Sequence, residues 1–302
     1  MKYFLLIFVF GISISLSNAQ DDLMNLLDKE TKDSAKTEYA YATFKGNRVI
    51  NGQSVETIGK HTLSFIISHR FGPFNSGPHK FYGIDIAYIR LGFEYGITDR
   101  LEVGVGRSNF NEMYDGYWKY KLLRQSKGAR VMPVSVVLFS STAATSAKAT
   151  YSPDKFSYRL YYTYQIIIAR KFSESLSLQL SPTLVHRNLV DNSTNKNDVF
   201  AVGFSGRFKL TKRISLNAEY FYLLPHQATY RQGTKSVNCT NALSVGVDIE
   251  TGGHVFQIHC TNSIGMIEKS FIAENNGKWS KGAIMLGFNV TRPFNLGKNK
   301  KQ

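Results

Sequence analysis

The feature that most restricts the fold of this chain is a period-two alternation of apolar and polar residues, which recurs about twelve times over residues 63–294. The clearest segment is residues 214–224, where every second residue is apolar and Ser215, Asn217 and Glu219 lie between them. Successive side chains of a β-strand point to opposite faces of a sheet. Each segment therefore predicts a strand with one wet face and one dry face.

Segments of this kind predict an all-β protein with an even number of strands. The twelve predicted strands are 63–70, 89–95, 101–106, 114–122, 132–139, 156–168, 176–186, 200–210, 214–224, 243–249, 256–260 and 284–290. Their usual length matches the nine to eleven tilted residues, roughly, that cross a bilayer.

The connections between these strands distinguish a soluble sandwich from a membrane barrel. Short turns are predicted at 98–100, 172–175, 211–213 and 251–253, with a slightly longer one at 125–130. Longer connections alternate with them, at 72–87, 109–113, 141–155, 188–197, 225–240 and 262–281. Such alternation is typical of antiparallel up-and-down transmembrane β-barrels, whose short turns face the periplasm. A sheet in lipid must close, because an open edge would leave backbone groups unpaired.

The N-terminus has the composition of a secretory signal peptide. Lys2 precedes an apolar run at residues 3–12, and small residues follow at Ser17 and Ala19. We therefore expect a signal peptide at 1–19, then a periplasmic or luminal extension at 20–60, a barrel at 61–294 and a basic tail at 295–302. The expected location is the outer membrane of a Gram-negative-type envelope. The aromatic end of the last strand, Phe294, is similar to the signal read by the barrel assembly machinery, which we expect as a partner.

The chain is basic, with 37 Lys and Arg against 22 Asp and Glu. In a soluble protein this balance would suggest a nucleic-acid partner. A secreted chain rich in Phe and Tyr makes nucleic acid improbable. Many of the basic residues fall in predicted turns and in the tail, where they would meet anionic headgroups of outer-membrane lipid.

Charged residues of both signs fall on the polar faces of the predicted strands, so they are expected to line the lumen. The candidate lumen-lining residues are Arg90, Glu94, Glu102, Asp115, Lys119, Lys121, Arg159, Arg207, Glu219 and Asp248. Balanced charges favour a salt-bridged wall over an ion-selectivity ring. Twelve strands enclose a lumen suited only to small solutes.

Two segments leave alternatives open. In the extension, Asn51-Gly52 lies between Val49-Ile50 and Ser54-Val55 and predicts a hairpin turn. This stretch would pack in or under the lumen as a plug, or form a loose periplasmic tail. Residues 264–273 are unusually apolar for an outward loop; they would fold over the mouth or into the barrel, or mark a partner site.

No constellation of residues indicates an enzyme, a cofactor or a metal. His69 and His186 have the parity of lipid-facing residues, but they lie on the first and seventh strands, on opposite sides of the barrel. His254 and His259 differ in parity and do not form a ligand pair on one face. Cys239 and Cys260, the two cysteines, are not expected to pair.

Six stretches of the alternating region carry a resemblance to a known family. They are FIISHRFG (65–72), IRLGFEYGITDRLEVGVGRS (89–108), YKLLRQ (120–125), LSLQLSPTLVHRNLV (176–190), LTKRISLNAEYFY (210–222) and VGVDIETGGHVFQIH (245–259), to which TFKGNRVINGQSVE (43–56) and NSIGMIEKSFI (262–272) are added. With these the chain resembles a family of outer-membrane β-barrel proteins defined by a domain of unknown function. The resemblance implies a fold and a location but no activity.

The function predicted from sequence is a narrow small-solute channel or a non-enzymatic envelope component. The alternatives are a docking platform for periplasmic or surface partners and, with less support, an outer-membrane lipid hydrolase.

Overall fold

The computed structural model describes residues 36–148, 155–190, 195–232 and 235–297. The expected signal peptide and most of the basic tail lie outside these residues. The described chain forms two compact units, one comprising residues 36–39 and 126–133 and the other residues 40–125 and 134–297. In the first unit, the strands Glu38–Tyr39 and Ser126–Lys127 pair in an antiparallel manner.

The larger unit contains twelve barrel strands of eight to twelve residues. They are β1 (Thr62–Pro73), β2 (Ala87–Gly96), β3 (Leu101–Ser108), β4 (Met113–Leu123), β5 (Ser135–Thr145), β6 (Leu160–Lys171), β7 (Leu176–Arg187), β8 (Asp198–Lys209), β9 (Ile214–Leu223), β10 (Ala242–Thr251), β11 (His254–Thr261) and β12 (Met285–Asn295).

These strands close into a single barrel in which each strand is antiparallel to its neighbours along the chain. The barrel closes where β12 pairs with β1, with Val290 opposite Ile67 and Asn295 opposite Thr62. This architecture confirms the predicted fold class of an antiparallel up-and-down barrel of about twelve strands. Thr62 and Asn295 mark one end of the barrel, called here the terminal end; the opposite end is the loop end.

Two strands begin at least three residues later than predicted. Strand β5 begins at Ser135 and not at Met132, because Met132 exchanges both backbone hydrogen bonds with Ser126 in the smaller unit. Strand β6 begins at Leu160 and not at Phe156. Residues Phe156–Arg159 instead form a 3-10 turn, in which the Tyr158 amide donates to the Lys155 carbonyl at 2.9 Å. Arg159 therefore lies just before the strand on which it was predicted.

The predicted alternation of short and long connections does not hold between β3 and β4. Residues 109–112 connect β3 and β4 at the loop end, yet this connection is as short as the turn at 97–100. Asn111 and Glu112 adopt positive φ angles of 54° and 48°, which let the chain reverse within one 3-10 turn.

The remaining elements are short and lie in the connections at the loop end. They are the strands Thr229–Gln232 and Lys235–Asn238, the 3-10 turns Phe74–Ser76, Pro78–Gly83, Phe110–Glu112 and Trp279–Lys281, and a π-helical turn at Lys269–Ala273. No helix within the described ranges has the length and apolar character needed to span a membrane.

Polarity in the barrel is the reverse of that in a water-soluble protein. On the outer face Phe93, Val105 and Phe204 are 50–60% exposed, whereas the charged side chains of Arg90 and Glu102 on the inner face are at most 1% exposed. Water would penalise such an outer surface, and lipid stabilises it. The nonpolar stripes therefore face outward, toward the acyl chains of a membrane.

Two glycines of the inner face are required by large neighbours. A Cβ atom at Gly104 would lie 2.4 Å from the ring of Tyr117, and one at Gly106 would lie 2.3 Å from the guanidinium of Arg90. Both distances are below any normal contact. These glycines thus make room for two side chains of the candidate site.

Candidate functional site: a lumen filled from both ends

The inner face of the barrel carries most of the residues predicted to line the lumen. Eight of them are buried: Arg90, Glu94, Glu102, Asp115, Lys119, Arg207, Glu219 and Asp248. Lys121 is half-buried on β4, and Arg159 is half-buried in the turn before β6. Whether they line a path for solutes stays a prediction.

Some of these charges pair within the wall. Arg90 binds Asp115 on β4 through two hydrogen bonds of 2.9 and 2.5 Å, and both side chains are almost fully buried. Asp248 accepts a hydrogen bond of 2.9 Å from Gln257 on β11. Bidentate Arg–carboxylate pairs have a fixed geometry, and this one connects β2 to β4 across β3. These contacts belong to the wall itself.

A segment of the chain that lies inside the barrel binds most of the other charged residues, which are Glu94, Glu102, Lys119, Lys121, Arg207 and Glu219. This inner segment, residues 43–58, approaches from the terminal end and is largely buried. It reverses direction at residues 49–52, where the Val49 amide donates to the Gly52 carbonyl at 2.9 Å and Arg48 pairs with Gln53. The central residues of this turn are Ile50 and Asn51, one position before the Asn51-Gly52 pair predicted from sequence.

The wall residue Glu219 holds this turn. Its carboxylate accepts hydrogen bonds from the backbone amides of Ile50, Asn51 and Gly52, at 3.2, 2.8 and 3.0 Å. Three consecutive amides of the turn thus share one acceptor on the wall. Hydrogen bonds to an ionised acceptor are stronger than those between neutral groups. Glu219 is therefore the main anchor of the turn.

Two further wall carboxylates hold the start of the inner segment. The side-chain amide of Asn47 donates to both Glu94 and Glu102, each at 2.7 Å. The Tyr117 hydroxyl also bonds to both carboxylates, in a short contact to Glu94 and at 3.2 Å to Glu102. These two acidic residues thus share their donors, and one of the donors belongs to the inner segment.

Basic and amide side chains of the wall bind the carbonyl groups of the inner segment. Lys119 donates to the Asn47 and Glu56 carbonyls at 3.3 and 2.6 Å, and Arg207 donates to the Thr43 carbonyl at 3.4 Å. The neutral residues that do the same are Gln179, Gln257 and Asn289. Sequence reasoning missed these three because it searched only for charges; their position on the polar side of each strand could have identified them.

One side of the inner wall is apolar. Inward residues of β4, β5 and β6 form a patch against which the apolar side chains of the inner segment pack. The wall contributes Tyr117, Val137, Phe139, Ile167 and Ala169, and the segment contributes Phe44, Val49, Ile50 and Val55. Each of these side chains is at most 6% exposed.

A second segment fills the barrel from the loop end. This inward loop, residues 262–284, connects β11 to β12 and places Phe271 and Ile272 at 0% and 1% exposure. The Phe271 ring lies 5.0 Å from that of Phe221, within a cluster that includes Val185 and Val199. Residues 264–273 therefore fold into the barrel, which is one of the alternatives predicted from sequence. The side chains of Phe271 and Ile272 are not exposed on the surface.

The inner segment and the inward loop meet at Glu268. Its carboxylate accepts hydrogen bonds from Gln53 at 3.0 Å and from Arg48 at 3.4 Å. Arg48 also leaves its Nε and Nη2 atoms buried without a partner among the described residues, and so does Arg70 with its Nε. Unpaired buried donors cost free energy. The closed arrangement is therefore not fully satisfied where the two segments meet.

Below the inner segment the terminal end holds a cavity of about 530 Å³. Its walls include Lys45, Glu56 and Lys121, of which Lys121 contacts Glu56 at 3.5 Å and Lys45 pairs with Glu250. The cavity therefore forms a charged vestibule that ends at the inner segment.

Histidines and cysteines occupy separate places. His69 stacks on Phe288 at 5.0 Å, and His186 contacts Asp198 at 2.6 Å on a different part of the barrel. Among the described residues no group of three His, Cys, Asp or Glu could hold a metal ion. Both cysteines are free thiols. Burial raises the pKa of the Cys239 thiol from 9.0 to about 11.

Comparison with solved structures returned outer-membrane barrels. The NanC porin is 8% identical with a TM-score of 0.47 over 78% of this chain and 100% of its own. The COG4313 outer membrane channel from Pseudomonas putida F1 is 13% identical with a TM-score of 0.43, over 80% and 98%. Outer membrane phospholipase A from Escherichia coli is 9% identical with a TM-score of 0.41, over 76% and 92%. At these TM-scores the likenesses do not bear on function.

Comparison with curated proteins gave no match. Comparison with family models matched residues 44–294 to the membrane-bound β-barrel domain DUF5777, which includes both the barrel strands and nearly all of the inner segment. This match confirms the resemblance inferred from the sequence motifs. The chain belongs to the DUF5777 family of membrane-bound β-barrel domains.

Proposed function

We propose that this protein is a small-solute channel of the outer membrane that is closed at rest by its own inner segment. The chain reaches the periplasm through the signal peptide at 1–19 and is folded into outer-membrane lipid by the barrel assembly machinery. Its terminal end then faces the periplasm. The barrel acts without catalysis, and a solute passes when the inner segment leaves the lumen.

The observation that carries this proposal is how the inner segment is held. Glu219, Glu94, Glu102 and Lys119 bind it through hydrogen bonds to polar groups that water can solvate after release. Exchange of a hydrogen bond to a charged group for water changes the free energy by only about 1.5–3 kcal/mol. A polar wall of this kind is suited to a hydrated path once it is vacant.

The experiment is planar-bilayer conductance of the full chain. The wild type should be mostly closed. Ile50→Asp combined with Val55→Asp places two carboxylates in the apolar patch and should raise the time-averaged conductance at least about tenfold, since each 1.4 kcal/mol changes an equilibrium tenfold. Trypsin cleavage after Arg48, located by mass spectrometry, reports release of the inner segment.

The matched control carries the same charges at exposed positions. Tyr41 and Val131 are 84% and 72% exposed, so Tyr41→Asp with Val131→Asp should leave conductance at the wild-type level. A bilayer that stays silent with the Ile50→Asp, Val55→Asp protein, although trypsin cleaves it after Arg48, would show that the lumen is not a pore.

A further inference from the structure

The inner wall binds the inner segment through a large number of main-chain atoms. Glu219 accepts from three consecutive amides, and Glu102 accepts from the Ile58 amide at 2.8 Å. Lys119, Arg207, Gln257 and Asn289 donate to carbonyl groups of the segment. Main-chain groups are the same in every peptide, so these contacts do not depend on which side chains the bound peptide carries.

Gln179 shows the binding of main-chain atoms most clearly. Its side-chain amide donates to the Gln53 carbonyl at 2.8 Å and accepts from the Val55 amide at 2.9 Å. One side chain thus satisfies a donor and an acceptor two residues apart, as an adjacent β-strand would do. Proteins that take up extended peptides by strand addition gain affinity from main-chain bonds and specificity from side-chain pockets.

The apolar patch supplies the side-chain selectivity. Inward-facing Val137, Phe139 and Ile167 are at most 2% exposed while the inner segment covers them. If the segment leaves, the patch meets water at a cost of roughly 25 cal/mol per Å² of apolar area. A sugar or an inorganic ion would not cover it. A peptide with apolar side chains would cover the patch and also satisfy the wall groups that bind main chain.

We propose that the lumen is a binding site for short peptides with apolar side chains, and that the inner segment occupies this site as a built-in substitute. The inference rests on the proposed channel function and names its solute class. The segment 43–58 has the composition of such a ligand: Phe44, Val49, Ile50 and Val55 pack on the patch, and its main chain is bound by the wall.

The test uses the full chain in nanodiscs and a fluorescent synthetic peptide with the sequence of residues 43–58. The Ile50→Asp, Val55→Asp protein should bind this peptide saturably, at least about tenfold more tightly than the wild type, whose tethered segment competes at high effective concentration. A matched peptide with Ser at the positions of Phe44, Val49, Ile50 and Val55 should bind at least about tenfold more weakly. Empty nanodiscs measure partition into lipid.

Two further measurements make the test selective. Adding Gln179→Ala to the Ile50→Asp, Val55→Asp protein should weaken peptide binding, which shows that the peptide lies in the lumen. An unlabelled tetrapeptide of alternating valine and alanine should compete, and maltose at the same concentration should not.

The outcomes separate this inference from the channel proposal. If the variant conducts ions but binds no peptide, the peptide inference is overturned and the channel remains. If maltose competes as well as the tetrapeptide, the solute class is wrong. If peptide binds saturably and depends on Gln179 while the bilayer stays silent, the peptide site is supported and the channel proposal fails.

Discussion

The two segments inside the barrel are held in different ways. The inner segment is anchored at its turn by Glu219, which is a residue of the wall and binds three backbone amides. The inward loop is anchored by Phe271, Ile272 and Ala273, which pack into an apolar cluster with Phe221. Release of the first exchanges many polar contacts for water and also exposes the apolar patch, whereas release of the second exposes mainly aromatic and aliphatic surface. This difference supports our proposal of a removable closure at the terminal end and a fixed constriction at the loop end.

The largest expected effect is a loss of stability when the packing of the inward loop is removed. Phe271→Ala removes a fully buried ring and should lower the free energy of unfolding by about 3–5 kcal/mol. Urea unfolding in detergent, followed by the electrophoretic shift of the folded barrel, measures the loss. The control is Phe256→Ala, at a ring on the lipid face that is 37% exposed, and it should cost clearly less. Equal losses for the two variants would mean that the inward loop does not stabilise the barrel.

The substitution Glu219→Gln weakens the anchor of the inner segment. The substitution keeps the shape but directs an NH₂ group at backbone amides, so about 1.5–3 kcal/mol of anchoring should be lost and conductance should rise about tenfold or more. Asp248→Asn is the matched control, because the described bond of Asp248 is to Gln257 of the wall. The interpretation is wrong if both variants conduct equally.

Cys239 reports whether the loop cluster stays closed when the inner segment leaves. It packs against the cluster that contains Phe271. Because its pKa is raised from 9.0 to about 11, the thiolate fraction at pH 8 should be about a hundredfold below that of an ordinary thiol, and alkylation should be slower in proportion. The rate should rise as the pH approaches 11.

This labelling is measured with iodoacetamide in a Cys260→Ser background. We expect slow labelling in the wild type and in Glu219→Gln, and faster labelling in Phe271→Ala. Fast labelling in Glu219→Gln would show that the two segments move together.

The smallest expected effect concerns the contact between the two segments. A double-mutant cycle with Arg48→Ala and Glu268→Gln isolates their coupling across the 3.4 Å contact. Contacting residues usually couple by about 0.5–3 kcal/mol, and the long distance places this pair near the lower limit. Open probability in the bilayer is the readout for all four proteins. Strict additivity would mean that the segments act independently.

Much of the barrel could be predicted because its signal is local. The alternation at residues 214–224 places Glu219 on the inner face without knowledge of any other strand, and the structure buries it there. The same reasoning failed at Arg159, where a 3-10 turn ends, and at residues 109–112, where two positive φ angles shorten the loop. Those outcomes depend on backbone geometry that the polar–apolar pattern does not record.

By itself, the sequence determined the strand count and the lipid-facing surface, because period two is a property of each strand alone, and its motifs carried the resemblance to the family. Only the tertiary structure decided what fills the lumen. The anchor of residues 50–52 is a glutamate about 168 positions further along the chain, and Glu268 is 220 positions from Arg48. No local pattern connects residues so far apart, since their contact exists only after the sheet has closed and brought opposite walls to a common interior.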